Sequence, residues 1–476
     1  MNKLIGTVIV LALLAGITAG AWFLLPNLIH DLWAFFRATW VVVIPALIAG
    51  VLAAVLLTRE NGFGFLLGGA AVVWLIAGGI GLNYMQGHKL SESVVVTDKS
   101  PNDVSFRERA PFDVAVATSK RTLGDTTGDA TGTVKALPSA GDNGEYTTSV
   151  IRRGMFKGYE STQVLTPPLF GGSSSKDVRF CEFDPTAELR FGGAGFNNNL
   201  DRAIGLRVPL GTNADKDDAF VVCDGDTPKL YAPLTKQKGF AVTTRVPAGV
   251  AVYNGKTGDL KIEENYSGNL PVYPASIATA QRESSKDSGS FFDSLFGRAG
   301  FEDTGKDGDD PNGENRAEFG LSTADGKKHQ YVTPLNSRGS SSSIIALGVG
   351  DGSTVKNGEL NTFNVYKYPK DAPRQANSAV AASITGEVLG GYKAQGLTVF
   401  EIAPAADGKW VASIGKSQSI LYRAVIDEAG VITLTDETKS DGESAEVDAG
   451  KPLDQMSPEE LKRLGERVLD ELVKQQ

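Results

Sequence analysis

The sequence predicts a membrane-anchored protein. Three N-terminal transmembrane helices lead into a mainly β soluble region, of sandwich-like, barrel-like or α+β type. A C-terminal amphipathic helix follows. Three observations carry this reading. Charge-free apolar runs dominate residues 1–87, short β-branched runs recur from 146 to 436, and an apolar stripe at helical spacing closes the chain.

The runs 4–29, 38–58 and 61–87 contain no Asp, Glu, Lys or Arg. A span needs about 20 apolar residues, and only structures with satisfied backbone groups cross lipid. Trp22, Trp33 and Trp40 lie near the expected span ends, as interfacial anchors do. In the third run Gly64 and Gly68 have the GxxxG spacing that lets helix backbones approach. Packing within this chain's own helices is the plain reading, and oligomerisation is the alternative. Charge-free helices describe an anchor, since ion pathways use intramembrane charge.

Lys3 and Arg59 fall on one side of such a three-span anchor and Arg37 on the other. The positive-inside bias then places the N-terminus inside and residues 88–476 outside. Lys3, an apolar stretch and Ala19-Gly20-Ala21 also fit a cleaved signal peptide. Cleavage would leave the same final side.

The net charge of −9 resides almost wholly in the soluble part. That excludes a nucleic-acid interface, which needs a basic face. The expected contacts are the bilayer and a protein partner or a second copy. The only two cysteines, Cys181 and Cys223, predict one disulfide in an oxidising compartment. Two cysteines cannot make a four-thiolate zinc site. A mixed site would need His88 and His329, and no finger-like spacing relates these residues.

Residues 88–145 read as a stalk with some strand content, opening on the alternating run Ser93–Thr97, and a loop. Residues 146–282 read as one β-rich domain and 317–436 as a second, with a linker or long loop at 283–316 between them. Ala219–Cys223, Phe240–Thr244 and Ser343–Leu347 are strand-like, as are the runs beginning at Leu397, Trp410, Ile420 and Val431. Val250–Tyr253 and Asp259–Ile262 flank Asn254-Gly255, a hairpin signal with φ > 0 expected at the turn. Tyr231–Leu234, Tyr331–Leu335 and Leu165–Leu169 share a faint Pro-Leu echo. Ala376–Val388 is the best internal helix, with a strand as the alternative. In the 283–316 segment Phe291, Phe292, Leu295, Phe296 and Phe301 would dock one helical turn on a neighbour.

The tail has a linker at 437–456 and a helix at 457–476. Ser457, Pro458 and Glu460 make a capping box with proline at the first helical position. Leu461, Leu464, Val468 and Leu472 form its docking stripe.

Motifs with chemistry are few. Gly249–Thr257 has one residue too many for a P-loop and lies in a hairpin. Phe191–Phe196 lacks the dinucleotide fingerprint and reads as a tight loop, with ligand contact as the alternative. Asp303, Asp307, Asp309 and Asp310 offer weak calcium ligands, but Pro311 breaks EF-hand spacing. Ser340–Ser343 near His329 lacks a nucleophile elbow. Arg282 and Glu283 read as an exposed ion pair. No cofactor is implied and no catalytic set is legible. The expected function is an extracytoplasmic interaction or scaffold protein. The alternative is a cell-envelope hydrolase whose site assembles only on folding.

Overall fold

The computed structural model describes residues 16, 20 and 22–436, apart from 60–61, 124–127, 132–133, 140–143, 170–177, 188, 194–197, 305–318, 339–342, 389–395 and 418. Most of the expected first span lies outside the described residues. So does the whole C-terminal helix with Leu461, Leu464, Val468 and Leu472.

Two helices are long and apolar enough to cross a membrane: α1, Pro26–Thr58, and α2, Phe63–Ser91. Only 17% and 11% of their most apolar windows are buried. A core helix of a soluble protein would be largely covered, so the exposed apolar surface points to lipid. Pro26 starts α1 at a position where its missing N–H costs nothing. The two helices pack side by side. A Cβ on Gly64 would meet Leu57 Cγ at 2.7 Å and the Ala53 carbonyl at 2.8 Å, while one on Gly68 would be in ordinary contact with Ala53. The GxxxG pair therefore faces α1 of its own chain.

The loop expected at 30–37 is a correction. The backbone is helical throughout, so the second helix begins at Pro26 instead of residue 38. His30, Asp31 and Arg37 each hydrogen-bond to the β region, as described below.

The soluble region is β-rich, with several sheets. The largest runs in the order 94–97, 363–367, 346–351, 329–337, 319–323, 106–107, with 301–303 also on 329–337. Val94–Thr97 pairs with Phe363–Lys367 in parallel; the other pairs are antiparallel. The segment expected as a stalk is thus woven into this sheet directly after α2. A second sheet has the order 260–263, 243–254, 227–239, 212–214, with 220–224 on 227–239. A third runs 128–130, 145–152, 159–165, 178–182, with 135–137 on 145–152. The C-terminal sheet is a simple meander of 398–404, 410–416, 419–426 and 432–436. A two-stranded sheet, 266–267 with 354–355, completes the set.

The expected hairpin at 250–262 is present, with Tyr253 opposite Leu260. Its turn differs in detail. The positive φ falls on Gly258, not on Gly255. Asn254 Oδ1 instead accepts the backbone N–H groups of Lys256 and Thr257. Phe240–Val242 is a hairpin tip instead of a strand start, because pairing resumes at Thr243. The three Pro-Leu echoes fall on or at the end of strands 159–165, 227–239 and 329–337, each an inner strand of its sheet. Asn377–Ser383 is helical, as expected for that stretch.

One core joins the largest sheet to the C-terminal sheet through Phe319, Leu321, Val332, Trp410, Ala412 and Ile414. A second packs Leu230, Leu234 and Tyr253 against Leu200 and Ile204 of the short helix Leu200–Gly205. A third sets Ile277 and Ala278 of the helix Ala275–Ser284 against Val250 and Tyr331.

Candidate functional site

The β region is fastened to the helix pair by side chains that the sequence places in or beside the membrane segment. His30 is buried. Its Nε2–H donates to the Gly205 carbonyl at 2.9 Å, and its Nδ1 accepts the Gly211 N–H at 3.0 Å. Those two partners assign the neutral Nε2–H tautomer. Asn213 Nδ2 donates to Asp31 Oδ1 at 2.6 Å. Arg37 donates to the Gly239 carbonyl. Gly211 has φ +84° and lies against Trp33, so both its backbone angle and its missing Cβ are used. On α2, His88 Nδ1–H donates to the Asp287 carbonyl at 2.7 Å, and Tyr84 Oη donates to the Gly289 carbonyl at 2.9 Å.

Residues 283–303, expected as part of a linker, are therefore ordered structure beneath the β region. The helix Ala275–Ser284 continues through a tight turn to Ser288, and Phe291–Leu295 forms a helical turn. Phe291 meets Tyr84, but Phe292, Leu295 and Phe296 are exposed instead of docked, and Phe301 lies on a strand. Arg282 and Glu283 are not a surface pair. Arg282 is buried and its nearer partner is Asp303, at 3.2 Å, with Glu283 at 3.8 Å. This ion pair accounts for Asp303, one of the four calcium candidates. Asp307, Asp309 and Asp310 lie outside the described residues.

Among the described residues a groove of about 560 Å³ opens on the β region. Strand Glu145–Arg152 supplies Thr147, Thr148 and Ser149 as its floor. Lys135, Lys216 and Asp217 bring charge, while Phe220, Tyr159 and Phe191 give it apolar walls. Phe191 belongs to the glycine-rich loop singled out above. Burial pushes the Tyr159 phenol up to about 12, a hydrogen bond with the Phe191 backbone working the other way. Tyr159 therefore stays protonated at neutral pH. The hydroxyls already have partners within the protein. Thr147 Oγ1 donates to the Val221 carbonyl at 2.6 Å, and Thr131 and Thr148 lie 3.3 Å apart. The lining offers ammonium groups, one carboxylate and aromatic faces to a ligand. It suits binding of a polar, acceptor-bearing group.

Cys181 on strand 178–182 and Cys223 on strand 220–224 stand at disulfide distance, with Cα atoms 5.8 Å apart. They join the third sheet to the second along the flank that carries the groove.

A buried polar knot, not legible in the sequence, ties three parts of the chain together. Arg109 Nη1 lies 2.9 Å from Glu401 Oε1 and donates to Tyr146 Oη at 2.7 Å. Arg109 Nε donates to the Gly320 carbonyl at 2.9 Å, and Glu401 Oε2 accepts the Phe112 N–H at 3.1 Å. Burial works against the Arg109 charge, yet Glu401 and Tyr146 hold its guanidinium above its ordinary value. His329 is also fully buried. Burial pushes its imidazole down to about 3, with the Lys135 and Arg109 charges adding to the shift. It meets Tyr331 edge-on, centroids 5.1 Å apart. Ser340–Ser342 lie outside the described residues. The hydroxyl near His329 is that of Ser353, which contacts the His329 backbone, not its ring. Among the described residues no three His, Cys, Asp or Glu side chains converge as metal ligands do. No family model matches the chain, and no curated protein and no solved structure matches it.

Proposed function

We propose that this chain is a membrane-anchored interaction protein, whose β region lies on the extracytoplasmic side and receives a partner in the groove floored by Thr147–Ser149. The observation that carries the reading is the seam between helices and β region. Buried His30 and the Arg37, Tyr84 and His88 contacts hold that region in one orientation on its anchor. A fixed mount is what a membrane platform for a partner requires, because it aims the binding face. The cysteine pair supports an oxidising location, and the lysine and arginine bias supports the same side.

A photo-crosslinking residue at Lys216, in the groove, tests this in native membranes. A discrete adduct is expected there and none at Lys327, in an exposed hairpin turn. Ser149→Arg, which fills the groove, should abolish it. No adduct at 216, or one indifferent to Ser149→Arg, would contradict the reading.

A further inference from the structure

Among the exposed apolar side chains of the β region, two groups adjoin the helix pair at one height: Phe240, and Phe292 with Leu295 and Phe296. Ala38 and Gln86 share a level, because Gln86 Nε2 donates to the Ala38 carbonyl at 2.8 Å. Half a turn deeper, Trp40 and Tyr84 each reach the β region. Trp40 Nε1 donates to the Phe240 carbonyl at 3.1 Å, and the two rings meet edge-on at 5.1 Å. Tyr84 holds Gly289 and meets Phe291 edge-on at 5.3 Å. Trp and Tyr at the ends of spans mark the headgroup level. From Trp40 to Thr58 and from Tyr84 back to Phe63, the helices cover about 27 Å and about 32 Å at 1.5 Å per residue. Both lengths match a hydrocarbon core of about 30 Å. A headgroup level through Trp40 and Tyr84 fits both lengths.

Phe240 tips the hairpin between strands 227–239 and 243–254, and is 73% exposed. Phe292 on the turn 291–295 is 66% exposed, with Leu295 and Phe296 exposed beside it. Arg298 lies over the Phe296 ring, 5.3 Å from its centroid, and Lys89 ends α2 nearby in height. Cations thus stand beside apolar groups where lipid phosphates would be.

We propose that Phe240 and the Phe292–Phe296 turn insert into the interfacial layer of the bilayer that the helices cross, with Arg298 and Lys89 facing lipid phosphates. The occupant is a lipid surface. Two patches on separate elements, one against each helix, share one height, and a plane continuous with the helices' own lipid contact meets both. The β region would then be braced at three points: the seam, the hairpin tip and the helical turn.

Full-length protein in vesicles of phosphatidylcholine and phosphatidylglycerol tests this. Nitroxide labels go on Phe240→Cys, Phe292→Cys, Leu295→Cys and the reference Lys327→Cys. These side chains are exposed, so the substitutions leave the cores intact. Collision with oxygen should rise, and collision with a water-soluble nickel chelate should fall several-fold, at 240, 292 and 295 relative to 327. Nickel access equal to that at 327 would overturn the proposal by placing the patches in water. Shielding from both reagents would overturn it too, by showing that a second copy covers them.

Discussion

Arg109 and Glu401 form a buried ion pair, 2.9 Å from Nη1 to Oε1, that ties the segment following α2 to the C-terminal sheet. Tyr146 joins it from the third sheet and Gly320 from the largest. A buried pair adds little net stability over apolar packing but is costly to break.

Glu401→Ala should therefore destabilise the β region by about 3–5 kcal/mol, the cost of leaving a buried charge unpaired. Arg109→Met with Glu401→Leu should recover most of that loss. Equilibrium denaturation of the three proteins in detergent checks both statements.

The cysteine pair should resist alkylation until reduced. A separation of 42 residues gives about 4 kcal/mol of stabilisation in the chain-entropy model. Mass spectrometry after alkylation without and with reductant reads the first statement, and the shift in denaturation midpoint reads the second. Rapid labelling of both thiols in the unreduced protein would contradict it.

His329 makes stability fall with acid. Its folded pKa of about 3 lies below the ordinary value of 6.5, so the unfolded chain binds the proton more readily. The stability from keeping this ring neutral is complete above pH 6.5. It is lost by up to about 1.4 kcal/mol per pH unit as pH falls toward 3. His329→Leu should flatten that part of a stability–pH curve. An unchanged slope would remove His329 as its source.

His30→Leu should loosen the seam. It leaves the Gly205 carbonyl and the Gly211 N–H without their partner, at about 1–3 kcal/mol each. Faster hydrogen exchange at 205–211, with the exchange of strands 410–426 unchanged, is the expected pattern.

Two long apolar helices and the strands of the C-terminal sheet were legible because their signals are local; inner strands such as Glu145–Arg152 and His329–Ser337 were not named from the sequence. Apolar run length marks α1 and α2, and alternation marks strands such as Ser419–Ile426. What escaped was set by distant partners. His30, Asp31 and Arg37 looked like a loop because polar residues interrupt an apolar run. They are helical, and each hydrogen-bonds to the β region. Ser284, Ser285 and Asp287 looked like a solvated linker, yet all three are buried. The parallel pairing of Val94–Thr97 with Phe363–Lys367 has no local trace. Nor has the Arg109–Glu401 pair, whose members sit in unremarkable stretches. In the groove, Phe191 was noted for its glycines alone. Thr147–Ser149 and Lys216 gave no signal, because a groove lined by residues from separate segments has no spacing of its own.

The extracytoplasmic placement of the β region is tested most directly by a membrane-impermeant maleimide on intact cells, or on spheroplasts where a wall intervenes. The probes are Lys327→Cys in the β region and Arg59→Cys at the tip between α1 and α2. Labelling of Lys327→Cys at once, and of Arg59→Cys only after permeabilisation, is the predicted result. Immediate labelling of Arg59→Cys with protection of Lys327→Cys would contradict it.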